Sequence, residues 1–168
     1  MTKEWNTLIE PNFAQDIGLD FAETLVPLKD IQYLAIHHTE SQGMDALEAH
    51  RFHREARKWA GIGYNYFIEE DGAIIKGRGC YVGAHVYRYN RVSLGIALSG
   101  DFDSHYPTEA QMESARKLCL FFMKQCNLQS SQIIGHREFP DVSKSCPGRN
   151  FDMDGFRNWI EQTRLVNR

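Results

Sequence analysis

Three residues in this sequence have the types and placement to hold a catalytic metal ion. His37 closes the apolar run Tyr33-Leu34-Ala35-Ile36, His136 follows Ile133-Ile134-Gly135, and Cys146 lies in the segment Ser143-Lys144-Ser145-Cys146-Pro147-Gly148. Two imidazoles and a thiolate suit tetrahedral Zn²⁺ and leave its fourth position open to water. Such an open site lowers the pKa of water toward ~7 and polarises a carbonyl. Spacing alone leaves a second reading open. With 7 histidines and 4 cysteines, many such triplets can be drawn. His37 would then be a satisfied core histidine, His136 a surface loop residue and Cys146 a buried thiol.

Rigid positions for the three come from strand ends and the loops that follow them. Tyr33 to His38 reads as a short buried strand. Asp45 caps an expected helix from about Met44 to Trp59, with Leu47, Phe52, Ala56 and Trp59 on its buried face. Tyr64 to Glu69 and Ala73 to Lys76 form an expected hairpin around Asp71-Gly72. Val92 to Ser99 is another strand. Thr108-Glu109-Ala110-Gln111 is a capping box opening a helix to about Cys126, striped by Met112, Ala115, Leu118 and Phe122. Gln132 to Gly135 is a short strand, and a last helix runs from about Asp152 to Thr163. Alternating strands and helices predict an α/β architecture, a central mixed β-sheet flanked by helices. Residues 1–30 read as an irregular extension packed on the domain through Phe13, Phe21 and Leu25, and 31–168 as the domain itself.

Other polar residues have less to offer. His38 neighbours His37, but on a strand it points to the opposite face. His50 and His53 lie three apart on the first helix with no third ligand near in sequence, and read as a solvated face. Arg51, Arg54, Arg57 and Lys58 beside them form a basic patch able to attract an anionic polymer. Cys80, Cys119 and Cys126 read as core thiols. The last two are too far apart along one helix to bond.

The chain has 168 residues, 42% of them hydrophobic, enough for one core without staples. Lys plus Arg number 19 against 22 for Asp plus Glu, a net charge of -3, which argues against a dedicated nucleic-acid binder. No apolar run approaches the ~20 residues of a membrane helix. Met1 to Asp20 lacks the basic start and apolar middle of a signal peptide, so synthesis in the cytoplasm is expected, with any outside target reached after release.

Six ordered blocks then carry a resemblance: Ile36-His37-His38-Thr39, Gly63-Tyr64-Asn65-Tyr66-Phe67-Ile68, Gly83-Ala84-His85, Asn90 with Ser93-Leu94-Gly95-Ile96, Gly135-His136-Arg137-Glu138, and Lys144-Ser145-Cys146-Pro147-Gly148. From Tyr33 to Trp159 the chain resembles the type 2 N-acetylmuramoyl-L-alanine amidases, and within them the phage lysozyme-amidases and peptidoglycan recognition proteins. The resemblance implies the peptidoglycan recognition protein-like amidase fold and a zinc-dependent hydrolase cutting the bond between muramic acid and L-alanine. It maps the metal ligands to His37, His136 and Cys146, the catalytic tyrosine to Tyr64 and the catalytic lysine to Lys144. Candidate substrate contacts are His85, which matches a position near the family's groove, with Asn90 and His38. His85 can equally support a ligand from behind, and Asn90 and Ser93 also read as structural. The implied partner is bacterial peptidoglycan, met by a monomer of lytic, endolysin type. Two alternatives stay open: a peptidoglycan-binding module without activity, and a cytoplasmic amidase recycling wall fragments. Cys146, Tyr64 and Lys144 set the chain apart from that recycling branch, which is similar but uses Asp as third ligand.

Overall fold

The computed structural model describes residues 7–167. Five strands form one sheet in the order β3-β2-β4-β1-β5. They are β1 (Tyr33–His38), β2 (Tyr66–Ile68), β3 (Ile74–Lys76), β4 (Ser93–Leu98) and β5 (Ile133–Gly135). β4 and β5 both run parallel to β1, β2 runs parallel to β4, and β3 is the antiparallel edge strand. The sheet is therefore mixed, as the alternation of elements predicts.

Alternation along each strand sorts the two faces. Leu34, Ile36, Leu94, Ile96, Leu98, Tyr66 and Ile68 join the main core, together with Leu118, Phe122, Phe156 and Ile160. Those last four come from α2 (Glu109–Cys126) and α3 (Met153–Val166). Ala97 and Phe67 face the other way, onto Ala46 and Ala49 of α1 (Ala46–Glu55). Caps set the helix starts. Asp45 accepts from Glu48 N, Asp152 from Gly155 N, and Thr108 with Gln111 makes the reciprocal box seen in the sequence.

α1 departs from the sequence expectation. It ends at Glu55, and the face expected to be buried is half exposed: Leu47 41%, Phe52 44% and Trp59 37%. Its buried face carries Ala46, Ala49, His50 and His53. The two histidines can be buried because each ring has a backbone partner. Nδ1 of His50 accepts from Ile62 N at 3.0 Å, and Nδ1 of His53 accepts from Gly63 N at 2.9 Å. The solvated-face reading of these histidines is thus corrected.

Residues 7–30 run over the sheet edge and the helices. Leu8, Phe13 and Ala14 touch the main core, Phe21 touches the smaller one, and Leu28 is buried. Gln15 bridges to Ile75 and Pro27 to Tyr81. The first six residues of the expected N-terminal extension lie outside the described residues. Cys80, Cys119, Cys126 and Cys146 are all free thiols.

Candidate metal centre

Sheet register brings the first two ligands together. Ile36 of β1 pairs with Gly135 at the end of β5, and the residue following each is a histidine, His37 and His136. Their rings lie 4.6 Å apart between centroids. Cys146 arrives from the loop before α3, and its Sγ is 3.7 Å from His37 Nδ1. One ligand atom from each of His37, His136 and Cys146 lies within 4.8 Å of the others. The three residues that the sequence scatters over about a hundred positions meet at the ends of neighbouring parallel strands.

The loop holding Cys146 is fixed by a residue that the sequence reading left without a role. Arg137 donates from Nη1 to Gly148 O at 2.5 Å and Ser145 O at 3.3 Å, and from Nη2 to Phe151 O at 2.8 Å. Its backbone N–H also donates to Cys146 O at 2.7 Å. One planar guanidinium thus satisfies three carbonyls of a loop that has no regular partner. The adjacency of Arg137 to His136 was the only available signal.

The ligands lie in a cavity of about 450 Å³ lined by His37, His38, Tyr64, His85, His136, Lys144 and Cys146. Phe52, His53, Arg57 and Trp59 line it too, so the exposed side of α1 and the turn after it are part of its wall. Arg57 lies over the rings of Phe52 and Trp59 at 5.6 and 5.9 Å. Tyr64 packs between His37 and His53, with centroid distances of 5.3 and 5.4 Å. Lys144 stands exposed at the rim.

Burial dominates the electrostatics. Desolvation first, then the neighbouring His85, His136 and His38, hold His37 well below the usual imidazole range. His136 is lowered by burial and by Lys144. Both are thus neutral at pH 7, the state a metal ligand requires. Burial pushes the Cys146 thiol up to about 12. A divalent cation would reverse that preference by stabilising the thiolate. Burial likewise raises Tyr64 far above an ordinary phenol.

The remaining candidates occupy distinct places. His38 is buried on the opposite face of β1, its Nδ1 accepting from Phe102 N at 3.1 Å. A group of His38, Glu40 and Asp103 has the composition of a second metal site. A backbone N–H donating to Nδ1 leaves the proton of a neutral imidazole on Nε2, which then has no lone pair for a metal. Asn90 is outside the cavity wall, with Oδ1 accepting from the backbone N–H of His85 and Val86 at 2.8 and 2.9 Å. His85 is buried behind His37, its Nδ1 2.9 Å from His37 Nε2. Asn65, quoted in a motif but given no role, is fully buried. It accepts from Gly95 N and donates to Gly79 O and Tyr81 O, tying β4 to the loop after β3.

Comparison with known proteins gives a consistent picture. The sequence pattern described as N-acetylmuramoyl-L-alanine amidase matches residues 27–149. A mouse protein named N-acetylmuramoyl-L-alanine amidase is 30% identical over a 152-residue alignment that covers 80% of this chain and 27% of that protein. The chain therefore spans about a quarter of that relative's length. The endolysin amidase LysCS from Clostridium intestinale URNW superposes with a TM-score of 0.82 at 27% identity, covering 91% of this chain and 97% of the other. A peptidoglycan recognition protein, PGRP-LE, solved with tracheal cytotoxin (monomeric diaminopimelic acid-type peptidoglycan), superposes at 0.76 and 27% identity, covering 88% and 94%.

Proposed function

The chain belongs to the N-acetylmuramoyl-L-alanine amidase family of peptidoglycan amide hydrolases, and from that premise we propose that it is a zinc-dependent lytic enzyme. It hydrolyses the amide between the lactyl group of muramic acid and L-alanine of the stem peptide, acting at the cell wall as a monomer. The observation that carries this reading is the convergence of one Nδ1 or Nε2 atom from each histidine and the Cys146 thiol within 4.8 Å, in the lining of one cavity. A set of two neutral imidazoles and a thiol, with His37 and Cys146 buried and His136 half-buried, fits zinc and suits hard, oxygen-seeking cations poorly.

Zinc held by His37, His136 and Cys146 would acidify water and polarise the scissile carbonyl. The chain's own residues supply the rest. Tyr64, kept protonated by burial, offers a hydroxyl that donates to the substrate carbonyl or holds the attacking water. Lys144, on the rim beside the ligands, brings a positive charge to the oxygen that turns anionic. The Phe52, Trp59 and Arg57 wall presents an apolar and cationic surface suited to an acidic glycopeptide. All of these groups come from one chain, which supports action as a monomer. A lytic role draws support from the likeness to an endolysin amidase that is covered over nearly its whole length.

Digestion of purified sacculi, read by mass spectrometry, tests the proposal. Release of free stem peptides beginning with L-alanine, lost on chelation and restored by zinc, is the expected result. New reducing sugar ends, or wall binding without any product, would overturn it.

A further inference from the structure

His85 offers both ring nitrogens to protein partners, and the partners have fixed polarity. Its Nδ1 meets His37 Nε2 at 2.9 Å, and its Nε2 meets Ser93 Oγ at 3.4 Å. Ser93 Oγ in turn donates to the backbone carbonyl of Tyr89 at 2.7 Å. A carbonyl oxygen only accepts, so the Ser93 proton is spent on Tyr89 O. Ser93 Oγ is then an acceptor toward His85, which puts the His85 proton on Nε2. The bare Nδ1 of His85 must accept, so His37 carries its proton on Nε2. The remaining lone pair of His37, on Nδ1, is the atom that faces Cys146 Sγ at 3.7 Å.

From this we infer that the chain Tyr89 O, Ser93, His85 fixes the tautomer of His37 and presents its Nδ1 to the metal. His85 is thus a positioning residue acting through His37, with no ring nitrogen left over for substrate. The inference rests on the zinc reading above and deepens it.

The surroundings of His85 are built for this role. The ring lies between two glycines. A Cβ at Gly95 would come within 2.6 Å of its Cγ, and one at Gly83 within 2.8 Å of its Cδ2. Asn90 holds the backbone on either side of the His85–Val86 peptide through Oδ1. His85 itself is only 8% exposed. Gly83, His85, Asn90, Ser93 and Gly95, which the sequence shows as two separate motif blocks, converge on the rear of one ligand. Partners behind a metal-bound histidine typically change metal affinity by about 10–100-fold when removed.

Two measurements test the relay, and neither depends on wall cleavage. Long-range proton–nitrogen NMR on the metal-free protein at pH 8 should show His37 and His85 both protonated at Nε2 and bare at Nδ1. A His37 ring protonated at Nδ1 would overturn the assignment. Zinc affinity, by competition with a chromophoric chelator, should fall about 10–100-fold in His85→Leu. It should stay within about threefold of the native value in His85→Asn, whose Oδ1 occupies the position of Nδ1 and can only accept from His37. Equal losses in both variants, or none in His85→Leu, would refute the relay. Should His85→Leu fail to fold, the NMR result on the native chain decides alone. A protein that passes both tests yet releases no stem peptides would keep the relay and lose the amidase reading.

Discussion

His53 Nδ1 accepts a hydrogen bond from the backbone N–H of Gly63, 2.9 Å away, on the residue just before Tyr64. The bond exists only while His53 is neutral at Nδ1, because a protonated imidazole has no lone pair. Burial, then Arg57 and Arg78, lower the His53 pKa to about 4. The unfolded chain takes up this proton near 6.5, so between about 6.5 and 4 it binds more protons than the folded chain. Stability from this group is therefore complete above pH ~6.5 and is lost as pH falls toward 4, by about 3 kcal/mol in all. Urea melts of the metal-free protein across this range should show the loss. In His53→Asn, whose Oδ1 retains an acceptor for Gly63, the slope should be shallower by that amount. An unchanged slope would remove His53 as a contributor.

Arg137 should matter to the metal centre without touching it. Its fork satisfies three carbonyls of the loop around Cys146. A lysine cannot reproduce the fork, and each buried carbonyl left without a donor costs about 1–3 kcal/mol. Arg137→Lys should lower the stability of the metal-free protein by about that much and weaken zinc binding as well, because Cys146 loses its fixed position. Denaturant melts and chelator competition on the same variant check both. A variant with native zinc affinity would mean that the loop holds its shape without the guanidinium.

Much of this centre is legible in the sequence, and the limits have physical reasons. His37 and His136 stand at the ends of apolar runs, and parallel pairing places such ends side by side. Cys146 belongs to a loop whose path no periodicity reveals, and only the ordered motif blocks tie it to the histidines. The buried face of α1 does not show in the sequence because imidazole counts as polar in any hydropathy pattern. His50 and His53 become core residues only once Ile62 and Gly63 offer them backbone N–H groups, a tertiary fact. Phe52 and Trp59, read as core, line the cavity instead. Arg137 and Asn65 work by satisfying backbone groups of segments distant in the fold, which residue type alone does not signal.

Metal removal gives a direct reading of the three ligands. A ligand that binds only the folded state stabilises it by mass action, about 4 kcal/mol at a thousandfold excess over Kd. Zinc should therefore raise the melting temperature of the stripped protein, and the rise should disappear in Cys146→Ser and His136→Ala. Equal melting with and without zinc in the native chain would end the case for a metal centre.

Lys144 should affect turnover and leave the fold alone. It is exposed at the cavity rim. Loss of one group that stabilises a developing oxyanion typically lowers the rate by about 10²–10³-fold. Lys144→Ala should lose about that much in kcat on sacculi while keeping native melting behaviour and zinc content. Full turnover in such a variant would take Lys144 out of the mechanism.

Tyr64 presents a choice between two kinds of chemistry, and its surroundings decide it. The ring is wedged between His37 and His53, and burial, followed by Cys146 and Glu40, raises the phenol far above its ordinary pKa. In the metal-free protein a phenol so raised is protonated at neutral pH. In that state it donates a hydrogen bond rather than taking up a proton. Tyr64→Phe keeps the ring in its wedge and removes only the hydroxyl. Turnover on sacculi should fall by about 10²-fold, as for other single donors at a developing oxyanion, with zinc affinity retained. The alkaline side of the pH–rate profile should keep its position in the residual activity, since the tyrosine does not ionise in that range. If the profile instead loses an alkaline limb that the native enzyme shows, Tyr64 ionises during turnover, and its role as a fixed donor is wrong.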